Sequence, residues 1–209
     1  MNRSATPTLE QKIFNTIRRW GRGCVFANRD FFALGTDASV AWVLYRLKNQ
    51  GKIRLLARGL YDYPIFSKLL NEYLAPDMHL VAQALARKYH WNIQASGSAA
   101  LQHLGLSTQL PLRTRYYSDG PTRSYLIEGR SLDFQHISHR EALPNHPDSE
   151  LFVQAVKELG ERSLAAPYAE KICSLLTPDL RRNLTAALPQ LTEQERSLIR
   201  KLMTLSPHE

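Results

Sequence analysis

The strongest constraint on how this chain folds lies in one stretch, Thr36 to Tyr63, TDASVAWVLYRLKNQGKIRLLARGLYDY. Val40, Val43, Leu44 and Leu47 recur at the spacing of one helical face, so the stretch opens as an amphipathic helix. Thr36 is placed to cap free backbone N–H groups, and Asp37 favours the positive end of the helix dipole. Gly51 tolerates the left-handed conformation common just past a helix end. Two short strands, 53–56 and 60–63, follow around the turn Ala57-Arg58-Gly59, and Pro64 closes the run. A helix with one bare polar face, followed at once by a basic hairpin, has the shape of a recognition helix and its wing.

The residues before it agree. Thr6-Pro7 fits a helix start, and Leu9, Ile13, Ile17 and Trp20 form one apolar stripe that Gly21-Arg22-Gly23 ends. Cys24-Val25-Phe26 reads as a short extended piece. Asn28 is placed to cap a second helix over 29–34, ended by Gly35. Helix, short strand, helix, tight turn, helix, hairpin is the order of a winged helix-turn-helix. Charge points the same way. Residues 1–63 hold 11 Lys and Arg against 4 Asp and Glu, a net +7 out of +8 for all 209 residues. Excess positive charge on a helix–hairpin unit points to a nucleic-acid partner.

On a helical wheel the face opposite the Val/Leu stripe holds Ala38, Trp42, Tyr45 and Asn49, flanked by Ser39 and Arg46. Arg suits guanine, Asn suits adenine, Ser accepts either, and aromatics meet thymine methyls or sugars. Trp42 is open between packing inward and facing DNA. Arg54, Arg58, Arg18 and Arg19 are the expected phosphate contacts, Arg58 at the wing tip.

Beyond Pro64 the chain reads as a loop over 71–76, then a helix over 76–90 with Met78, Val81, Ala82, Leu85 and Tyr89 inward. A strand-like Trp91–Gln94 and a short helix over 98–104 come next. Runs at 113–117, 123–127 and 131–137, with turns at Asp119-Gly120-Pro121 and Glu128-Gly129, suggest an antiparallel meander. Ala142–Asp148 carries two prolines and marks a boundary. The remainder is helical, with Thr177-Pro178 and the capping box Thr192…Glu195 as start signals. The expected fold class is α+β. It comprises an N-terminal winged helix-turn-helix (1–64), a small α+β domain with the meander (65–145) and an all-helical C-terminal segment (146–209).

Gly51-Lys52-Ile53-Arg54 and Arg58-Gly59-Leu60-Tyr61-Asp62-Tyr63-Pro64 resemble the winged helix of AbiEi-type antitoxins of bacterial type IV toxin–antitoxin systems. Ser96-Gly97-Ser98-Ala99-Ala100-Leu101, then Leu104-Gly105-Leu106-Ser107-Thr108-Gln109, resembles a hallmark of the domain that follows it there, and Tyr117-Ser118-Asp119-Gly120 also fits. The resemblance covers about Leu9 to His139. It implies a transcriptional repressor that binds inverted repeats of double-stranded DNA in its own promoter, alone or as a homodimer. It also implies a second domain that helps to counter a nucleotidyltransferase-like toxin. No matching motif is found after Asp148.

Enzyme motifs are absent from the sequence: no GxGxxG after a strand, no phosphate loop, no HExxH. Asp133 and Glu141 lack the following lysine of a nuclease-like arrangement. Ser96-Gly97-Ser98 lacks Gly-x-Ser-x-Gly spacing. His136, His139 and His146 come without a cysteine and span a proline-rich loop, a poor zinc set. Cys24 and Cys173 fit no metal or disulfide spacing and read as core thiols. The expectation is a non-enzymatic cytoplasmic regulator with no cofactor, no metal and no membrane span. The alternatives are a stand-alone regulator without a toxin, a nucleic-acid-modifying enzyme using Asp133, and a winged helix that binds protein rather than DNA.

Overall fold

The structure is a computed structural model and describes residues 7–107, 113–137 and 147–205. Thr6, Thr108, Gln109, His139, Glu141, His146 and most of the Ala142–Asp148 boundary lie outside the described residues. The fold is mixed α+β, with small antiparallel sheets and a helical C-terminal segment. The chain divides into two compact units. One holds Met1–Asn92 and Tyr125–Leu132; the other holds Ile93–Ser124 and Asp133–Glu209.

In the first unit, α1 (Leu9–Trp20) starts at Thr8, not Thr6-Pro7. The Thr8 hydroxyl accepts from the Gln11 amide while the Gln11 side chain accepts from the Thr8 amide, a complete capping box. Strand β1 (Val25–Ala27) leads into a single 3-10 turn, Asn28–Phe31, shorter than the helix expected over 29–34. Its cap is Asp30, whose carboxylate accepts from the Ala27 amide at 2.9 Å, rather than Asn28. Helix α2 (Asp37–Asn49) begins at Thr36 as expected, and Gly51 follows it with φ +68°. Strands β2 (Arg54–Ala57) and β3 (Leu60–Asp62) form the hairpin. β3 also pairs antiparallel with β1, giving the sheet order β1-β3-β2. Ile13 and Ile17 of α1, Phe26, Phe31, all four α2 stripe residues, Ile53 and Tyr61 share one buried core. This arrangement is compatible with a winged helix-turn-helix.

The first compact unit continues past residue 64. A second hairpin pairs β4 (Phe66–Ser67) with β5 (Glu72–Tyr73), and β5 falls within the stretch 71–76 expected as a loop. Helix α3 (Met78–Tyr89) then packs on β1 and the 3-10 turn with Val81, Ala82 and Leu85 fully buried. Arg87 fastens it, donating to Asp30 at 3.1 Å and to the Val25 carbonyl at 3.1 Å.

The second unit begins with β6 (Ile93–Ala95) and α4 (Gly97–His103), continues through β7 (Arg113–Ser118), and shares the hairpin of β8 (Arg123–Ile127) and β9 (Arg130–His136). The sheet order is β6-β7-β9-β8, so β9 lies between β7 and β8 and the expected simple meander is not formed. The Ile137 amide bonding to the Ser118 carbonyl at 2.9 Å pins the end of β9 beside β7. Helices α5 (Pro147–Leu159), α6 (Tyr168–Leu175), α7 (Pro178–Ala187) and α8 (Glu193–Leu205) complete it. Across residue 145, α4 packs on α5. A Cβ at Gly97 would lie 2.6 Å from the Glu158 Cβ, so only glycine admits α5 this close. Ser96 caps α4, its hydroxyl accepting from Ala99 at 3.4 Å. Helix packing thus accounts for Ser96 and Gly97. Among the described residues no helix is long and apolar enough to cross a membrane.

Candidate nucleic-acid interface

The inward face of α2 is set by the core, and this fixes what faces outward. Trp42 is 57% exposed and Tyr45 58%, so the open question about Trp42 resolves outward. Ala38 and Asn49 are exposed on the same side. The Arg46 guanidinium lies over the Trp42 ring, 4.7 Å from its centroid, and pairs with Glu10 of α1 at 3.1 Å. Gln50 donates to the other Glu10 oxygen at 3.5 Å. Glu10 therefore holds Arg46 in place, a residue that the sequence reading did not single out. The pairing joins two helices, so no local spacing signals it. The start of α1 and the outward side of α2 line an open groove containing Leu9, Gln11, Trp42 and Arg46.

Ser39 is half-buried, and its hydroxyl serves the helix cap. It donates to the Thr36 carbonyl at 2.9 Å and accepts from the Thr36 hydroxyl at 3.0 Å. A group already bonded twice to its own turn is a weak base reader.

Arg54 is displaced from the expected set of phosphate contacts. The hairpin register sets it directly opposite Asp62, which is 1% exposed. Its Nε donates to Asp62 at 3.0 Å and a second nitrogen completes a bidentate pair. Glu128 takes its remaining face at 2.8 Å, and the Leu74 carbonyl accepts at 3.1 Å. The carboxylates push the Arg54 pKa up despite its partial burial. Arg54 is a structural tie within the unit.

Arg58 stands exposed at the tip of the β2–β3 hairpin, where Gly59 turns the chain with φ +68°. Lys88 of α3 donates to the Arg58 carbonyl, adding a second cation at the tip. Only the tertiary packing of α3 brings it there. Arg18 and Arg19 are exposed in the last turn of α1. Glu10, near the other end of that helix, touches α2; at 1.5 Å per residue Arg18 lies about 12 Å further along the axis. The structure does not bring these two arginines to the Trp42–Arg46 face.

Other candidates resolve structurally. Asp133 pairs with Arg113 at 3.0 Å. The His136 ring contacts the Gly120 carbonyl through Nδ1 at 2.9 Å. Among the described residues no group of three His, Cys, Asp or Glu side chains comes together as a metal set. Burial pushes the Cys24 thiol up to about 11, so it stays protonated at neutral pH.

A search of curated proteins finds no match. The model of a family described as being of unknown function, DUF6088, matches residues 12–184, a span running from α1 through the wing and both units into α7. The chain belongs to the DUF6088 family.

Proposed function

We propose that the first unit binds double-stranded DNA in a sequence-dependent way, with α2 in the major groove and the wing tip on the backbone. The observation that carries this reading is the outward face of α2. Two aromatic side chains stand more than half exposed beside a fixed arginine and an asparagine, on a segment of net charge +7. Large exposed apolar surface ringed by polar groups marks an interaction site, and the excess of cations favours a polyanion as the occupant. Arg46, Asn49 and Tyr45 are the base readers. Arg46 is preset by Glu10 and Trp42, which lowers the entropy lost on binding. Arg58 and Lys88 supply phosphate contacts at the wing.

In the fuller form of this proposal the protein is a cytoplasmic repressor of its own operon, acting at inverted repeats as a homodimer or as paired monomers. Its second unit counters a nucleotidyltransferase-like toxin. The support for the antitoxin half is the resemblance of the wing and of Ser96–Gln109 to AbiEi-type antitoxins. Selection from a pool of random duplexes, followed by anisotropy titration, tests the DNA reading. The expected result is an enriched motif whose affinity falls steeply with salt. Retention of every duplex equally would refute sequence reading. A toxin-like reading frame beside the gene, and rescue of growth from that toxin by this chain, are expected for the antitoxin half. A neighbourhood without one leaves a regulator alone.

A further inference from the structure

A second basic feature of the first unit is built from residues other than those of the α2 outward face. Arg22, from the turn after α1, and Lys52, from the turn after α2, converge on a partly enclosed cavity of about 240 Å³. Its walls include Phe14, Tyr63 and Tyr73. The Arg22 guanidinium lies 4.5 Å over the Tyr63 ring, and its Nη1 donates to the Pro64 carbonyl at 2.9 Å. The Lys52 ammonium lies 5.0 Å from the Phe14 ring centroid. The rings and the carbonyl orient the two cationic heads without neutralising them.

Among the described residues no carboxylate lines this cavity. The acidic residues nearest in sequence are engaged elsewhere: Glu10 with Arg46, Asp62 with Arg54, Asp30 with Arg87. Glu72 is the strand neighbour of Tyr73, so its side chain leaves the opposite face. Two carbonyls of the last turns of α2, which would repel an anion, are also taken up. The Lys52 and Gly51 amides bond to the Leu47 and Lys48 carbonyls, both at 3.0 Å. Two like charges fixed at one concave site are mutually destabilising until an anion joins them. The cavity is smaller than a typical pocket for a drug-sized ligand, so it suits a small anionic group rather than a whole nucleotide.

We propose that the Arg22–Lys52 cavity is a phosphate-binding site. The phosphate comes either from a duplex backbone or from a free phosphorylated molecule. The site rests on its own geometry, and its first test needs no DNA.

Inorganic phosphate is titrated into the full chain at constant ionic strength held with chloride, followed by amide and tyrosine ring NMR. Saturable shifts confined to Gly51, Lys52, Tyr63 and Tyr73 are expected, with half-saturation on the order of 1–10 mM, the range of a few charge-assisted contacts. Lys52→Gln should weaken this about tenfold, and Lys52→Arg should retain it. Lys52 is exposed at the surface, so tryptophan emission should remain that of the wild type. In the second arm the salt dependence of duplex binding is measured for the wild type and Lys52→Gln. A slope reduced by about 0.9 identifies the phosphate as one of the DNA backbone. Saturation by phosphate with an unchanged slope, or with no duplex binding at all, identifies a free phosphate ester. No saturable shift together with an unchanged slope overturns the proposal.

Discussion

Replacing Arg54 by alanine should damage the fold of the first unit rather than its surface chemistry. Asp62 is 1% exposed and meets a bidentate guanidinium. Truncating one member of a buried pair strands the other, at about 3–5 kcal/mol. The Arg54 side chain is itself 22% exposed, so water reaches part of the site and the lower end, about 3 kcal/mol, is expected. Against a total stability of roughly 5–15 kcal/mol this is a large loss. Urea unfolding followed by tryptophan fluorescence reads it selectively, because Trp20, Trp42 and Trp91 all lie in the first unit. With a urea dependence near 2 kcal/mol per molar, the midpoint should fall by about 1.5 M. The double replacement of Arg54 by methionine and Asp62 by leucine should recover to within about 1 kcal/mol of the wild type, since neither charge is then stranded. A midpoint shift for Arg54→Ala below about 0.3 M, or a double variant no better than the single one, would refute this reasoning.

Three further outcomes follow from the same geometry. Arg46→Ala and Glu10→Gln should each reduce affinity for a selected duplex more than for a random one, by about 1–3 kcal/mol for Arg46. Arg58→Ala should instead weaken both and reduce the salt slope by about 1, and equal losses for Arg46→Ala and Arg58→Ala on both duplexes would count against these roles. Burial raises the Glu150 carboxyl from 4.5 to about 7. The folded protein then holds a proton that the unfolded chain releases, so the contribution of Glu150 to stability is fully present below about pH 4.5 and is lost as pH rises through 7. Glu150→Gln should flatten that decline and raise stability above pH 7 by about 1–2 kcal/mol, discounted for partial exposure; parallel pH profiles from far-UV circular dichroism would refute it. Gly97→Ala should destabilise the second unit by about 1–3 kcal/mol through the collision with Glu158, which an unchanged melting temperature would disprove.

Elements organised by their own local chemistry were legible in the sequence. Helix α2 announces itself through Thr36, the Val/Leu stripe and Gly51, and Thr177 and Thr192 do the same for α7 and α8. The β4–β5 hairpin was not legible. Phe66 and Tyr73 are both exposed and pack on each other, so no buried face imposes alternation on it. The place of α3 was hidden for another reason: its apolar face is plain, but what it covers is decided by Arg87 reaching Asp30. The candidate surface divides in the same way. Its outward residues follow from the periodicity of α2. Which cations remain available follows from cross-strand register at Arg54 and from an interhelical pair at Arg46.

Neither unit occupies one continuous length of chain. Residues 125–132 return to the first unit, where Glu128 meets Arg54 and Arg130 donates to the Pro76 carbonyl at 2.6 Å. During synthesis α2 and the β2–β3 hairpin leave the ribosome early, yet their last ties arrive only some forty residues after Asn92, at about 5–20 residues per second. A gene fragment ending at residue 64 or 92 would encode a first unit still lacking Glu128 and Arg130. The two halves are therefore expected to be inherited as one piece rather than traded separately among proteins, in keeping with a single family model running across both.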